Sequence, residues 1–179
     1  LWRRLGERAA ALRLDGGIKG WSFHGDAYQR RTDDVEVAGY ALSRRARESG
    51  AFTPEDIAES RGRIAGSASE LTGGALGISR TGDAGFAGIA LSRYETLYGI
   101  PGPEHGVSID LQQTRLDLNS DWRPADSWLR SARLRASFNR YEHAELEDDG
   151  EVGTRFDQDG LTVRLAFDHA PLADWRGSF

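Results

Sequence analysis

His143, Glu145 and Glu147 stand at alternate positions and form the densest group of metal-ligand side chains in the sequence. Alternate residues of an extended backbone share a side. One imidazole and two carboxylates placed in that way would converge on a borderline cation such as Zn²⁺. Glu142, Asp148 and Asp149 flank the group, and a charge run of this kind also reads as a solvated acidic loop. Glu104 and His105 make a second, shorter group inside the Gly/Pro-rich segment 99–106. With both segments at one rim of a sheet, the two groups would share a cation. His24 and Asp26 share a side with Tyr28, and Arg115 with Asp117 and Arg133 with Arg135 repeat the spacing. Together with Arg164 and Asp168 they suit the polar lining of a channel, with ion pairs between neighbouring strands or to a body inside. Covalent catalysis finds no support. Ser92, Ser108 and Ser137 lack a His and an acid at any recognisable spacing, and the sequence has no cysteine. The run Gly73-Gly74-Ala75-Leu76-Gly77 lacks the Lys and Ser/Thr of a phosphate loop. The chain therefore does not read as an enzyme.

Such residues must be positioned by strands. In segment 20–31, Trp21, Phe23, Gly25 and Ala27 occupy one parity and Ser22, His24, Asp26, Tyr28 and Arg30 the other. Segment 7–15 opposes Leu12 and Leu14 to Arg13 and Asp15, and segments 70–80 and 86–98 carry Leu76, Ile78, Ile89 and Leu91 on one parity. In 107–122, Leu116, Leu118 and Trp122 face away from Arg115, Asp117 and Asn119. In 128–141, Leu134, Ala136 and Phe138 oppose Arg133, Arg135 and Asn139, and in 160–168 Leu161, Val163 and Leu165 oppose Thr162 and Arg164. Short connections alternate with longer ones, the long ones at 32–67 and in the acidic stretch 142–159. The first of these carries a helix start, with Thr53 as N-cap and Pro54 at the first helical position. Trp122, Trp128 and Trp175 lie beside short turns, as an interfacial aromatic girdle does. The pattern predicts an all-β fold: an antiparallel transmembrane β-barrel segment of seven to eight strands whose tight-turn rim is periplasmic. A soluble β-sandwich alternates too, but it would need a bulkier apolar parity and a less consistently charged polar one.

Composition sets the outer limits. The 179 residues include no run of the roughly 18 to 20 apolar residues that a membrane helix needs. A net charge of -5 argues against a nucleic-acid partner. Without cysteine there are no disulfides or thiolate metal sites. Methionine is also absent and the sequence opens at Leu1 without a recognisable signal peptide, which reads as an internal piece of a longer chain.

Four segments carry a resemblance: Ala11-Leu12-Arg13-Leu14-Asp15-Gly16-Gly17; Tyr28 to Tyr40, ending Val37-Ala38-Gly39-Tyr40; Gly85 to Tyr94, running into Tyr98-Gly99-Ile100-Pro101-Gly102; and Tyr141 to Glu147 with Glu151-Val152-Gly153-Thr154. In order and spacing they resemble the barrel of TonB-dependent outer-membrane receptors, most of all the zinc-uptake branch. The resemblance spans nearly the whole chain and makes residues 1–179 part of one barrel domain. It implies a bacterial outer-membrane location, a barrel of 22 strands around a plug domain, and energisation by TonB. Plug and TonB box are not recognisable here. It also implies lipid, the plug and TonB as partners and zinc as cargo, with no resident cofactor. Relatives in that branch often carry a long His-rich loop after the Tyr-Gly-x-Pro-Gly segment; here it shrinks to Pro103-Glu104-His105-Gly106. The rival cargo is siderophore-bound iron or haem. From other classes, the rivals are a closed eight-strand barrel acting as an adhesin or structural protein, and a carbohydrate-binding sandwich.

Overall fold

The computed structural model describes residues 6–101, 107–125, 127–147 and 149–171. Period-two patterning becomes strand throughout: β1 (Glu7–Ile18), β2 (Trp21–Thr32), β3 (Val35–Tyr40), β4 (Arg61–Ile64), β5 (Ser69–Gly82), β6 (Gly85–Ile100), β7 (Val107–Trp122), β8 (Leu129–Leu146) and β9 (Val152–His169). The chain is all-β, and seven strands form one antiparallel sheet in the order β1-β2-β5-β6-β7-β8-β9. The sheet is not closed into a barrel, and its edges are β1 and β9.

Local chemistry explains the turns. Lys19 (φ 48°) and Gly20 (φ 80°) both adopt positive φ between the paired Ile18 and Trp21, as a two-residue hairpin requires to match strand twist. Gly85 has φ 124°, and a Cβ there would overlap the Asp121 carbonyl oxygen, so β6 starts against β7 only without a side chain.

The excursion between β2 and β5 is itself ordered. The expected helix α2 (Pro54–Glu59) begins with a capping box in which Thr53 N–H donates to Asp56 Oδ2 at 2.7 Å and Asp56 N–H to Thr53 Oγ1 at 3.2 Å. A shorter helix α1 (Arg44–Arg47) precedes it, and β3 pairs with β4 in a small separate sheet. Arg47 lies 4.2 Å over the Tyr40 ring. The base is pinned by Asp34 Oδ1, which accepts from Ser67 and Ala68 N–H at 2.9 and 3.0 Å.

Register decides what each face presents. Leu14, Gly25, Leu76, Leu91, Leu116, Phe138 and Leu161 lie side by side across all seven strands, and Gly16, Phe23, Ile78, Ile89, Leu118, Ala136 and Val163 form the next row. On the reverse, the matching row is Asp15, His24, Gly77, Ala90, Asp117, Ser137 and Thr162. We call these the leucine face and the arginine face. No second layer of described residues covers the leucine face: the exposed apolar side chains of its two rows run from 37% at Ile78 and Leu118 to 72% at Leu161. Among the described residues, Ile109, at 5%, is the one buried apolar side chain.

Two expected boundaries are corrected. The acidic stretch 142–159 is not a loop: β8 continues through Leu146 and β9 starts at Val152, so only 147–151 connects them. Glu142 on β8 and Arg155, Asp157 and Asp159 on β9 occupy one face of the paired strands, where water satisfies them while the backbone keeps its ladder. The weak first strand extends past residue 15 to Ile18, closed by the Lys19-Gly20 turn.

Candidate functional site

The arginine face has two zones with different chemistry. Toward the tight turns it carries charge. Asp15 on β1 accepts from Arg13 Nε at 2.6 Å through Oδ2, and its Oδ1 lies 2.7 Å from Nδ1 of His24 on β2. His24 Nε2 lies 2.7 Å from Asp26 Oδ2. Both ring nitrogens therefore face a carboxylate, which fixes the imidazole plane and joins the first two strands. Three strands further on, on β7, Arg115 makes a forked contact to Asp117, with Nε and Nη2 at 2.8 Å from separate oxygens. Between these groups Gly77, Ala90, Ser79 and Gly88 form a floor of short side chains. The result is an open trough of about 710 Å³ lined by Asp15, His24, Asp117 and Asn119 among others. Charged walls over a small-residue floor suit hydrated ions or a polar surface lying in the trough.

Toward the longer connections the same face turns apolar and aromatic. His143 on β8 sits opposite Leu111 on β7 and Phe156 on β9. Its ring centroid is 4.7 Å from that of Phe156 and 5.8 Å, edge-on, from that of Tyr141. The Tyr141 hydroxyl is 3.1 Å from His143 Nδ1. Nε2 is buried without a hydrogen-bond partner, and Glu145 Oε1 stands 3.9 Å away. On the leucine face at this height stand Arg93, Glu95, Arg140, Glu142, Asp157 and Asp159, with Arg93–Glu95 at 2.5 Å and Arg140–Glu142 at 2.8 Å. The polarity of the two faces thus exchanges along the strands. Register is unbroken from β6 through β8 and from Ser131 to Glu145 on the β8–β9 pair, so the exchange is not a slip.

The chain matches no protein-family model and no curated protein.

The site residues expected from the sequence are therefore judged on geometry alone. His143 and Glu145 do share a side, but Glu147 does not join them. A register shift falls between Glu145 and Leu146, and Glu147 enters the connection, where its N–H bonds Glu151 O at 2.9 Å. The described residues include no cluster of three His, Asp or Glu side chains arranged to hold a metal. Glu104 and His105 lie outside the described residues, as does Trp175. His24, Asp26, Arg115, Asp117, Arg133, Arg135 and Arg164 all stand on the arginine face, as expected. The expected network of ion pairs forms only in part. Arg133 reaches across to Asp168 at 2.7 Å, whereas Arg135 and Arg164 stand directly opposite each other without a carboxylate partner among the described residues. Like charges in that position destabilise a ladder unless an anion or water intervenes.

Sequence reasoning missed the aromatic zone around His143. The signal was present as a change of apolar parity within single strands: Ile109 and Leu111 are odd while Leu116 and Leu118 are even, and Phe156 is even while Leu161 is odd.

Proposed function

We propose that this chain is part of the wall of a TonB-dependent outer-membrane receptor that captures zinc for energised uptake. The observation that carries the reading is a single-layer sheet whose leucine face is uncovered over its whole width on the turn side. An apolar surface of that extent is not left to water in a soluble protein, and a hydrocarbon solvent on one side with water on the other satisfies both faces. Free edges at β1 and β9 belong, in this reading, to further strands of a 22-strand barrel, because an unpaired edge is an aggregation template. The trough on the arginine face then looks toward the plug. The resemblance in sequence supplies the receptor class and the cargo.

For zinc, His143 Nε2 and Glu145 Oε1 offer two donors. Their separation of 3.9 Å is below the sum of a Zn–N and a Zn–O bond, each about 2.0 to 2.2 Å. The remaining donors would come from Glu104 and His105 or from elsewhere in the receptor. The test uses the full-length protein reconstituted in liposomes and titrated with zinc in a calorimeter. The paired substitution His143→Ala and His105→Ala lowers zinc affinity. Unchanged affinity discards the zinc site, and failure of the unaltered protein to insert into the liposomes discards the wall.

A further inference from the structure

Where the β1–β2 hairpin meets the end of β5, the turn-side rim of the leucine face brings together two cations that have no carboxylate partner among the described residues. Arg80 sits on β5 two residues before the strand ends, on the same face as Leu76 and Ile78, directly opposite Trp21 on one side and Ala87 on the other. Its guanidinium carbon is 5.1 Å from the centroid of the Trp21 ring. Among the described residues no carboxylate pairs with it. Lys19 occupies the adjoining hairpin turn, which is tied to the end of β5 by Thr81 N–H donating to Gly20 O at 2.7 Å. Lys19 is exposed and likewise has no acidic partner among the described residues. The acid nearest to Arg80 in sequence, Asp83 in the β5–β6 turn, pairs with neither, and the one nearest to Lys19, Asp15, is held by Arg13 and His24. On the arginine face at the same end of the sheet, the cations Arg123 and Arg133 are neutralised by Asp121 and Asp168, while Arg130, at the start of β8 and away from Arg80 and Lys19, is exposed.

A guanidinium on an apolar face is costly in hydrocarbon, and its cost falls toward zero at the interface, where it can reach a headgroup. An indole beside it marks that interface. The cation–π contact with Trp21 also holds the guanidinium beside the indole. Two uncompensated positive charges, one in the β1–β2 turn and one near the end of β5, edged by Ile18 and Trp21, match a phosphate above acyl chains. We propose that Lys19, Arg80 and Trp21 form a headgroup site for an anionic phospholipid of the leaflet at the tight-turn rim. The proposal rests on the membrane-wall reading above.

The experiment labels the full-length protein with an environment-sensitive fluorophore at Ala87→Cys, the register neighbour of Arg80, and separately at Leu165→Cys, on the same face but distant from both cations. Each is reconstituted in equal mixtures of phosphatidylglycerol and phosphatidylcholine in which one or the other lipid is brominated. Position 87 shows a local preference for phosphatidylglycerol of about five-fold per cation, position 165 shows none, and Arg80→Gln with Lys19→Gln removes the preference at 87. Equal preference at both positions, or a preference at 87 that survives the double substitution, overturns the headgroup site. Absence of quenching at both positions by either lipid overturns the wall itself, so the two failures are told apart.

Discussion

The turn-side and loop-side halves of one continuous sheet are built from the same strands and hydrogen-bond register, yet their faces are exchanged. On the turn side Leu116, Phe138 and Leu161 lie on the face opposite Arg115, Asp117 and Arg135. On the loop side the leucine face carries Arg140, Glu142 and Asp157, and the reverse carries Ile109, Leu111, Tyr141 and Phe156. A sandwich core would keep one face apolar along the full strand. A wall that passes from hydrocarbon into water would not: above the bilayer its outside is wet, and its inside is free to be apolar toward whatever fills it. The difference teaches that strand length and the height of the apolar band are separate quantities. β8 has 18 residues, but the unbroken apolar run of its leucine-face parity extends from Ala132 to Phe138 and gives way to charge at Arg140 and Glu142.

Breaking the contrast begins with a charge on the leucine face of the turn-side half. Leu134→Arg or Leu165→Arg lowers stability by about 2 to 4 kcal/mol when the side chain is near the bilayer midplane, whereas Asn139→Arg and Thr162→Arg on the reverse are tolerated. Ala144→Arg sharpens the test, because it has the parity of Leu134 but stands on the loop side and costs at most about 1 kcal/mol. Reversible denaturant unfolding in liposomes measures all five. A uniform cost at Leu134 and Ala144 contradicts the exchange.

A smaller effect is expected from Ile109→Ala. Its side chain is the buried apolar one on the loop side, so truncation costs about 2 kcal/mol, the low end for such changes. The same denaturation measures it, and a cost within error of zero means that the aromatic zone is not packed.

Much of this was legible in the sequence because period-two patterning and turn chemistry are local. Leu116 through Trp122 and Leu161 through Phe167 announce their faces, and Thr53-Pro54 announces a helix that the capping box then realises. The loop side was harder to read. Glu142 and Glu145 look like a solvated loop because charge is polar wherever it stands, and only pairing with β7 and β9 reveals them as ladder residues. His143 was singled out for its carboxylate neighbours, but its contacts are aromatic rings from its own strand and the next, one of them Phe156, thirteen residues away. Glu147 was lost to a register shift, which no one-strand parity rule anticipates. The pairing of Arg135 with Arg164 depends on the β8–β9 register and was likewise invisible in one strand.

The central claim is that hydrocarbon touches the leucine face on the turn side alone. It is tested most directly by single cysteines, which stand out in a chain that has none of its own. Spin labels at Leu116, Leu134 and Leu165, at Asn119, Arg135 and Arg164, and at Glu142 and Asp157 are exposed to oxygen dissolved in the bilayer and to a water-soluble relaxant. The first three are relaxed by oxygen and shielded from the aqueous reagent, while the other five respond to the aqueous reagent. Aqueous access at Leu116, Leu134 and Leu165 equal to that at Glu142 and Asp157 would contradict the account.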